Sequence, residues 1–221
     1  MKPIAVGVIG VGHMGRNHVR VYSDLRGADL RAIADIDRAS AKKIGRMYGI
    51  NWYVDYREMI KNEDLEAVSV VVPTSLHTEV CIYATKCGIN VLVEKPIASS
   101  LRDAKMIVKE AQRGGVKLMV GQTERFNPGV QALKRAVHRG NFGKIILLSA
   151  KRVGPIPPRI KDVGVTVDLA IHDIDVMRYI TESEVSSVFA FGNSVVPKQE
   201  DQMAVLLEFI NGTIGMIETN W

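Results

Sequence analysis

The feature that most constrains the fold is a glycine-rich turn close to the N-terminus. The apolar run at residues 4–9 predicts a buried β-strand, the sequence GVGHMG follows at 10–15, and an amphipathic helical pattern begins at about residue 13. In this context Gly10 permits a tight turn, Gly12 lets a ligand approach the backbone, and Gly15 lets the helix pack closely on the strand. Strand, turn and helix together predict a dinucleotide-binding βαβ unit.

An acidic residue further along indicates which dinucleotide is bound. Asp35 stands twenty residues after Gly15, directly after a second predicted strand at 30–34. A carboxylate there accepts hydrogen bonds from the ribose hydroxyls of NAD and repels the 2′-phosphate of NADP. Arg38 could offset part of that repulsion, although a solvent-facing position at a helix start accounts for it better. We therefore predict NAD as the cofactor, bound in part by Gly10, Gly12, His13, Met14, Gly15 and Asp35.

The order of predicted elements indicates two domains. Up to about residue 122, continuous β-branched runs alternate with amphipathic helical segments, which is typical of a parallel sheet covered on both faces. The remainder is richer in strands and contains the hairpin signal Asn211-Gly212. The sequence predicts an α/β fold, with a Rossmann NAD-binding domain over 1–122. An α+β domain with a mainly antiparallel sheet, for substrate binding and oligomerisation, follows over 123–221.

Composition narrows the class of protein further. The chain carries 29 basic and 24 acidic residues, a net charge of +5, and these charges are interspersed, which favours a mixed solvated surface over a nucleic-acid interface. No apolar run approaches the roughly 20 residues of a membrane span, and the N-terminus leads directly into a strand without a signal peptide. The only cysteines, Cys81 and Cys87, lack partners at metal-ligand spacing. We expect a cytoplasmic protein with no metal, membrane or nucleic-acid partner.

Two further motifs carry reactive side chains. The sequence VEKP ends the fourth predicted strand, and ligands of open α/β sheets bind beyond the carboxyl ends of the strands, so Lys95 is a candidate site residue. Asp168 and His172 share one face of a predicted helix, and a histidine beside a carboxylate is a candidate general base. Spacing alone leaves open a surface lysine and a polar helix face near a domain contact.

Taken together, the segments VGVIGVGHMGRNH, VVPTSLH, VEKP and DLAIHDID resemble the glucose–fructose oxidoreductase / inositol dehydrogenase / MocA family over essentially the whole chain. The resemblance implies an NAD-dependent dehydrogenase that forms homo-oligomers when full length. Members are usually much longer, so it also implies a second domain that is incomplete at Trp221. Site residues implied by the resemblance are catalytic Lys95, Asp168 and His172, which also contact substrate, and cofactor-binding Pro73, Thr74, Leu76, His77, Glu94 and Lys95.

A narrower resemblance bears on the substrate. The segments VGQTERFNPGV and RVGPIPPRIKDVG look like the UDP-N-acetylglucosamine 3-dehydrogenase branch, which oxidises the C3 hydroxyl of that sugar nucleotide. Arg125, Arg152 and Arg159 are cations suited to a diphosphate, although solvated loop arginines remain an alternative. Other functions left open are an inositol or simple-sugar dehydrogenase and a non-catalytic dinucleotide-binding sensor. The family resemblance and the sharp turn after the fourth strand also favour a cis peptide bond between Lys95 and Pro96.

Overall fold

The chain divides into two compact units, Met1–Gly121 and Gln122–Trp221. The structure, a computed structural model, describes residues 2–155, 164–195 and 200–221. Within these ranges, no helix is both long and apolar enough to cross a membrane.

The first unit is built on a six-stranded sheet in which all neighbouring strands are parallel. The strand order is β3-β2-β1-β4-β5-β6, which reverses direction between β1 and β4, as in doubly wound nucleotide-binding sheets. The predicted parallel Rossmann sheet is therefore confirmed. Its strands are β1 (Ile4–Ile9), β2 (Ala28–Ala34), β3 (Asn51–Tyr53), β4 (Ala67–Val70), β5 (Asn90–Val93) and β6 (Leu118–Val120).

Helices cover both faces of this sheet because successive strand residues point to opposite sides. Val8 and Ile33 belong to one buried cluster, and their strand neighbours Ile9 and Ala34 belong to another. Local capping fixes several helix starts; for example, the Asp37 carboxylate accepts a hydrogen bond from the Ala39 N–H. The helices are α1 (His13–Asp24), α2 (Arg38–Tyr48), α3 (Tyr56–Asn62), α4 (Thr74–Lys86) and α5 (Leu101–Gly114).

The second unit packs a helix against one face of a four-stranded mixed sheet. The strand order is β7-β10-β9-β8, with β7 parallel to β10 and the other pairs antiparallel, so the mainly antiparallel sheet is confirmed. Met177 packs with Val205, Leu207, Phe209 and Ile217 in the core between helix and sheet. The elements are α6 (Pro128–His138), β7 (Leu147–Val153), α7 (Ile171–Thr181), β8 (Val185–Asn193), β9 (Gln202–Phe209) and β10 (Ile214–Asn220).

Two local differences from the sequence prediction affect the candidate site. Strand β7 continues to Val153, so Arg152 lies on a strand and not in a loop. The predicted helix that carries Asp168 and His172 begins with a π-helical turn, Thr166–Ala170, before α7. Predicted substrate residue Arg159 lies outside the described residues.

Candidate cofactor and active site

The three glycines of the turn between β1 and α1 have different surroundings. Gly10 has a φ of +90°, and a Cβ atom there would lie 2.5 Å from the carbonyl oxygen of Val71. A Cβ on Gly15 would lie 1.9 Å from the carbonyl oxygen of Gly10, whereas a Cβ on Gly12 would meet no atom within 4 Å. Gly10 and Gly15 therefore close the turn against the strands, and Gly12 leaves open space beside its backbone.

The N-terminus of helix α1 faces that turn without a side-chain cap. Its N-cap residue is Gly12, which offers no side-chain acceptor, and the first turn carries no acidic residue. The first backbone N–H groups of a helix have no partner within the helix, and the helix dipole adds a partial positive charge there. His13 and Met14 occupy these first positions. The turn thus offers backbone donors of the kind that bind a pyrophosphate.

Asp35 ties the end of β2 to the glycine turn. Its Oδ2 accepts a hydrogen bond of 2.7 Å from the Val11 N–H, and its Oδ1 accepts one of 2.8 Å from the Asp37 N–H. Each carboxylate oxygen can accept a second hydrogen bond, which leaves capacity for ribose hydroxyls. The Arg38 guanidinium lies 5.9 Å from the centre of the Trp52 ring, a cation–π contact in the same unit.

A cleft of about 370 Å³ extends from the turn along the carboxyl ends of the central strands. Its wall combines open backbone at Gly12, the Asp35 carboxylate and apolar side chains such as Ile36 and Leu76. These groups fit the parts of a dinucleotide: donors for phosphate, an acceptor for ribose and apolar surface for a base. The lining residues are Ile9, Gly10, Gly12, Ala34, Asp35, Ile36, Val54, Tyr56, Val71, Val72, Pro73, Leu76, Glu79 and Val80.

The predicted cofactor-binding residues between Pro73 and His77 differ in whether they line the cleft or are buried behind it. Pro73 and Leu76 line the cleft, and Thr74 is the first residue of α4. His77, in contrast, is 1% exposed, with Nδ1 2.9 Å from the Pro96 carbonyl oxygen and Nε2 2.9 Å from the Val72 carbonyl oxygen. The ring bridges the segments that follow β4 and β5, and its expected contact with a cofactor stays a prediction.

Glu94 also has its partners inside the first unit. Its side chain is 12% exposed, with Oε1 2.9 Å from His18 Nε2 and Oε2 accepting a hydrogen bond of 3.2 Å from the Lys95 N–H. Burial opposes ionisation, but the hydrogen bonds from His18 and the Lys95 N–H, together with the nearby charge of Lys95, hold the pKa of Glu94 below its ordinary value. Glu94 therefore has partners within its own unit, and its expected cofactor contact stays a prediction. The predicted cis bond between Lys95 and Pro96 is confirmed.

In the second unit, the predicted catalytic pair lies where two helix types join. Asp168 is 4% exposed and belongs to the π-helical turn, and His172 stands four residues later in α7. Single π-helical turns within α-helices are frequent at functional sites. Sequence periodicity did not reveal this turn, because the apolar pattern of a short π segment differs little from that of an α-helix.

The same helix carries two further buried aspartates that hold arginines. Arg125 donates two hydrogen bonds, of 2.6 and 2.7 Å, to the Asp175 carboxylate. Arg152 Nε lies 2.9 Å from both oxygens of Asp173. Two of the three arginines expected to face a diphosphate are therefore paired with carboxylates of their own unit. The sequence pattern alone assigns no role to Asp173 and Asp175, because their burial, which requires cationic partners, is a property of the fold.

A family described as "Oxidoreductase family, NAD-binding Rossmann fold" matches residues 4–122, and the "GFO/IDH/MocA C-terminal domain" matches residues 130–221. The chain is 31% identical to a myo-inositol 2-dehydrogenase of Thermotoga maritima, covering 97% of this chain and 68% of that protein. It is also 31% identical to a UDP-N-acetylglucosamine 3-dehydrogenase of Acidithiobacillus ferrooxidans, covering 97% and 66%.

Among solved structures, scyllo-inositol dehydrogenase from Lactobacillus casei, with bound NAD(H) and scyllo-inositol, is similar with a TM-score of 0.90. The identity is 25%, and the match covers 99% of this chain and 70% of that one. The chain thus spans about two thirds of the length of the relatives that it matches.

Proposed function

Because the chain belongs to the Gfo/Idh/MocA family of NAD-binding oxidoreductases, we propose that the protein oxidises a secondary hydroxyl group of a sugar or polyol. The observation that carries this proposal is the cleft beside Gly12, which combines uncapped helix N–H groups with the Asp35 carboxylate. These groups hold the pyrophosphate and a ribose of NAD. When bound, NAD supplies the acceptor for the hydride that leaves the substrate carbon.

Three side chains of this chain handle the proton and the developing charge. His172 accepts the proton of the substrate hydroxyl as general base. The Lys95 ammonium donates a hydrogen bond to the reacting oxygen and stabilises the negative charge that develops on it. Asp168 orients the substrate or supports the base. The short sequence separation of Asp168 and His172, on one continuous helical segment, supports their joint action on one hydroxyl.

For the substrate, we propose the C3 hydroxyl of UDP-N-acetylglucosamine. This choice is supported by the similarity to the Acidithiobacillus ferrooxidans enzyme and by the ERFNP and GPIPPR segments. A specific observation favours a neutral polyol such as an inositol as the second candidate. Arg125 and Arg152 are already paired with Asp175 and Asp173, so neither is an uncompensated cation for a diphosphate.

The deciding experiment measures NAD reduction by the full-length protein with UDP-N-acetylglucosamine or myo-inositol, with Lys95→Ala as the inactive control. Turnover with the nucleotide sugar and none with myo-inositol supports the first candidate. The reverse result transfers the proposal to a polyol. Binding of NAD without turnover of either compound, or of a panel of simple sugars, contradicts the enzymatic proposal and favours a dinucleotide-binding sensor.

A further inference from the structure

A chain of polar side chains crosses the interior of the first unit and ends at the backbone of Lys95. The Tyr22 hydroxyl lies 2.8 Å from Ser69 Oγ, and Ser69 Oγ lies 3.2 Å from His18 Nδ1. His18 Nε2 lies 2.9 Å from Glu94 Oε1, and Glu94 Oε2 accepts the Lys95 N–H. Four side chains are thus connected to the backbone of Lys95. The Lys95 ammonium group is the one proposed to stabilise the charge on the reacting oxygen.

When the His18 ring is neutral, proton counting gives this chain one direction. The Glu94 carboxylate can only accept, so His18 Nε2 must carry a hydrogen and donate it. In neutral His18 the Nδ1 atom then accepts the hydrogen of the Ser69 hydroxyl. Ser69 Oγ in turn accepts the hydrogen of the Tyr22 hydroxyl. Every donor meets one acceptor, which makes a buried polar network rigid and specific.

Two features of the surroundings indicate that the network has a specific role in holding Glu94. Ser69 is fully buried in β4, within the otherwise apolar run AVSVVV, where an aliphatic side chain would pack without polar groups to satisfy. Gly121, after β6, leaves the space for the carboxylate, since a Cβ atom there would lie 3.0 Å from Glu94 Oε1. The residue after β6 therefore accommodates the position of the Glu94 carboxylate.

We propose that His18 is a positioning residue, which fixes Glu94 and through it the backbone, and hence the side-chain direction, of Lys95. This inference rests on the proposed catalytic role of Lys95. Ser69 and Tyr22 orient the His18 ring in its required tautomer. None of the three needs to contact substrate or cofactor, because they act through the Glu94 carboxylate. Misplacement of a reacting group by about 1 Å can lower the rate by about 10².

The test compares His18→Leu, His18→Gln and Ser69→Ala in the full-length protein. The first direct readout is hydrogen exchange of the Lys95 amide, resolved by NMR, which requires no substrate. We expect exchange to be about tenfold faster in His18→Leu, because the hydrogen bond to Glu94 loses its anchor. His18→Gln keeps an N–H donor toward Glu94 and should restore most of the protection. Thr85→Val, which removes a buried hydroxyl bonded to the Ile82 carbonyl, is the control for Ser69→Ala.

The second readout separates positioning from structural damage. Turnover is measured with the substrate, UDP-N-acetylglucosamine or myo-inositol. For His18→Leu, kcat should fall about tenfold or more, with KM and the NAD dissociation constant little changed. If His18→Leu leaves the Lys95 amide exchange and kcat unchanged while Lys95→Ala is inactive, the inference about His18 is overturned and the proposed role of Lys95 stands. Parallel loss of NAD affinity and melting temperature also overturns it, because the role is then structural. Full activity in Lys95→Ala overturns the proposed role of Lys95 itself.

Discussion

The two units use their buried polar groups differently. In the first unit, the polar groups of the candidate cofactor cleft include the backbone of the glycine turn and the Asp35 carboxylate, and buried polar side chains such as Glu94 and His77 hold the neighbouring loops. In the second unit, helix α7 and the turn before it place three buried aspartates within eight residues, and two of them pair with arginines. A polar motif on a single helical segment can therefore combine proposed catalytic residues with structural ion pairs.

The largest expected effect falls on the proposed catalytic residues of both units. Lys95→Ala and His172→Ala should each lower kcat by about 10²–10⁴, because each removes a positioned group that acts on the reacting hydroxyl. The double variant should lose less than the product of the two factors, since both side chains serve one proton and one oxygen. NAD affinity, measured by calorimetry, should change little. Full activity of His172→Ala would remove His172 as the base and leave Lys95 with Asp168.

The second prediction tests whether the aspartates of α7 are structural. Arg125→Ala leaves the Asp175 carboxylate, whose side chain is 7% exposed, without its bidentate partner. Breaking a buried pair costs about 3–5 kcal/mol. Because the Arg125 side chain is 39% exposed, solvent screening reduces the expected loss in free energy of unfolding to about 2–3 kcal/mol.

A matched control for this prediction lies nearby in the same unit. Arg178 makes a bidentate pair with Glu184, but both side chains are well exposed. Arg178→Ala should therefore cost less than about 1 kcal/mol. Urea unfolding of the two variants checks the contrast. Equal losses would contradict the view that burial of Asp175 makes the Arg125 pair structural, and would return Arg125 to the candidates for substrate binding.

These pairings could not be predicted from the sequence, whereas features that depend on local order could be. The turn at Gly10–Gly15 and the position of Asp35 follow from local order, because strand, turn and helix are adjacent in the chain. His18 and Glu94 are 76 residues apart, and Arg125 and Asp175 are 50 apart. Such pairs depend on which elements pack together, and periodicity carries no information about that.

The third prediction separates folding from binding within the glycine turn. A Cβ on Gly15 would overlap the Gly10 carbonyl oxygen, so Gly15→Ala should destabilise the first unit by about 1–3 kcal/mol or more. Gly12 has an ordinary negative φ of −65° and open space, so Gly12→Ala should keep the melting temperature. Its methyl group would occupy the surface that the pyrophosphate approaches, and NAD binding should weaken about tenfold. An unchanged NAD dissociation constant in Gly12→Ala would show that the ligand approaches elsewhere.

The smallest expected effect concerns the choice between NAD and NADP. The Asp35 carboxylate is held beside the turn by the N–H groups of Val11 and Asp37, so it cannot easily withdraw from a 2′-phosphate. Repulsion at that position should make NADP bind at least about tenfold more weakly, which is about 1.4 kcal/mol. Calorimetry with both dinucleotides measures the difference, and Asp35→Ser should reduce it. Equal dissociation constants in the unaltered protein would mean that Arg38 leaves its contact with Trp52 and compensates the phosphate. Arg38→Ala would then weaken NADP binding alone, whereas under our prediction it affects neither dinucleotide.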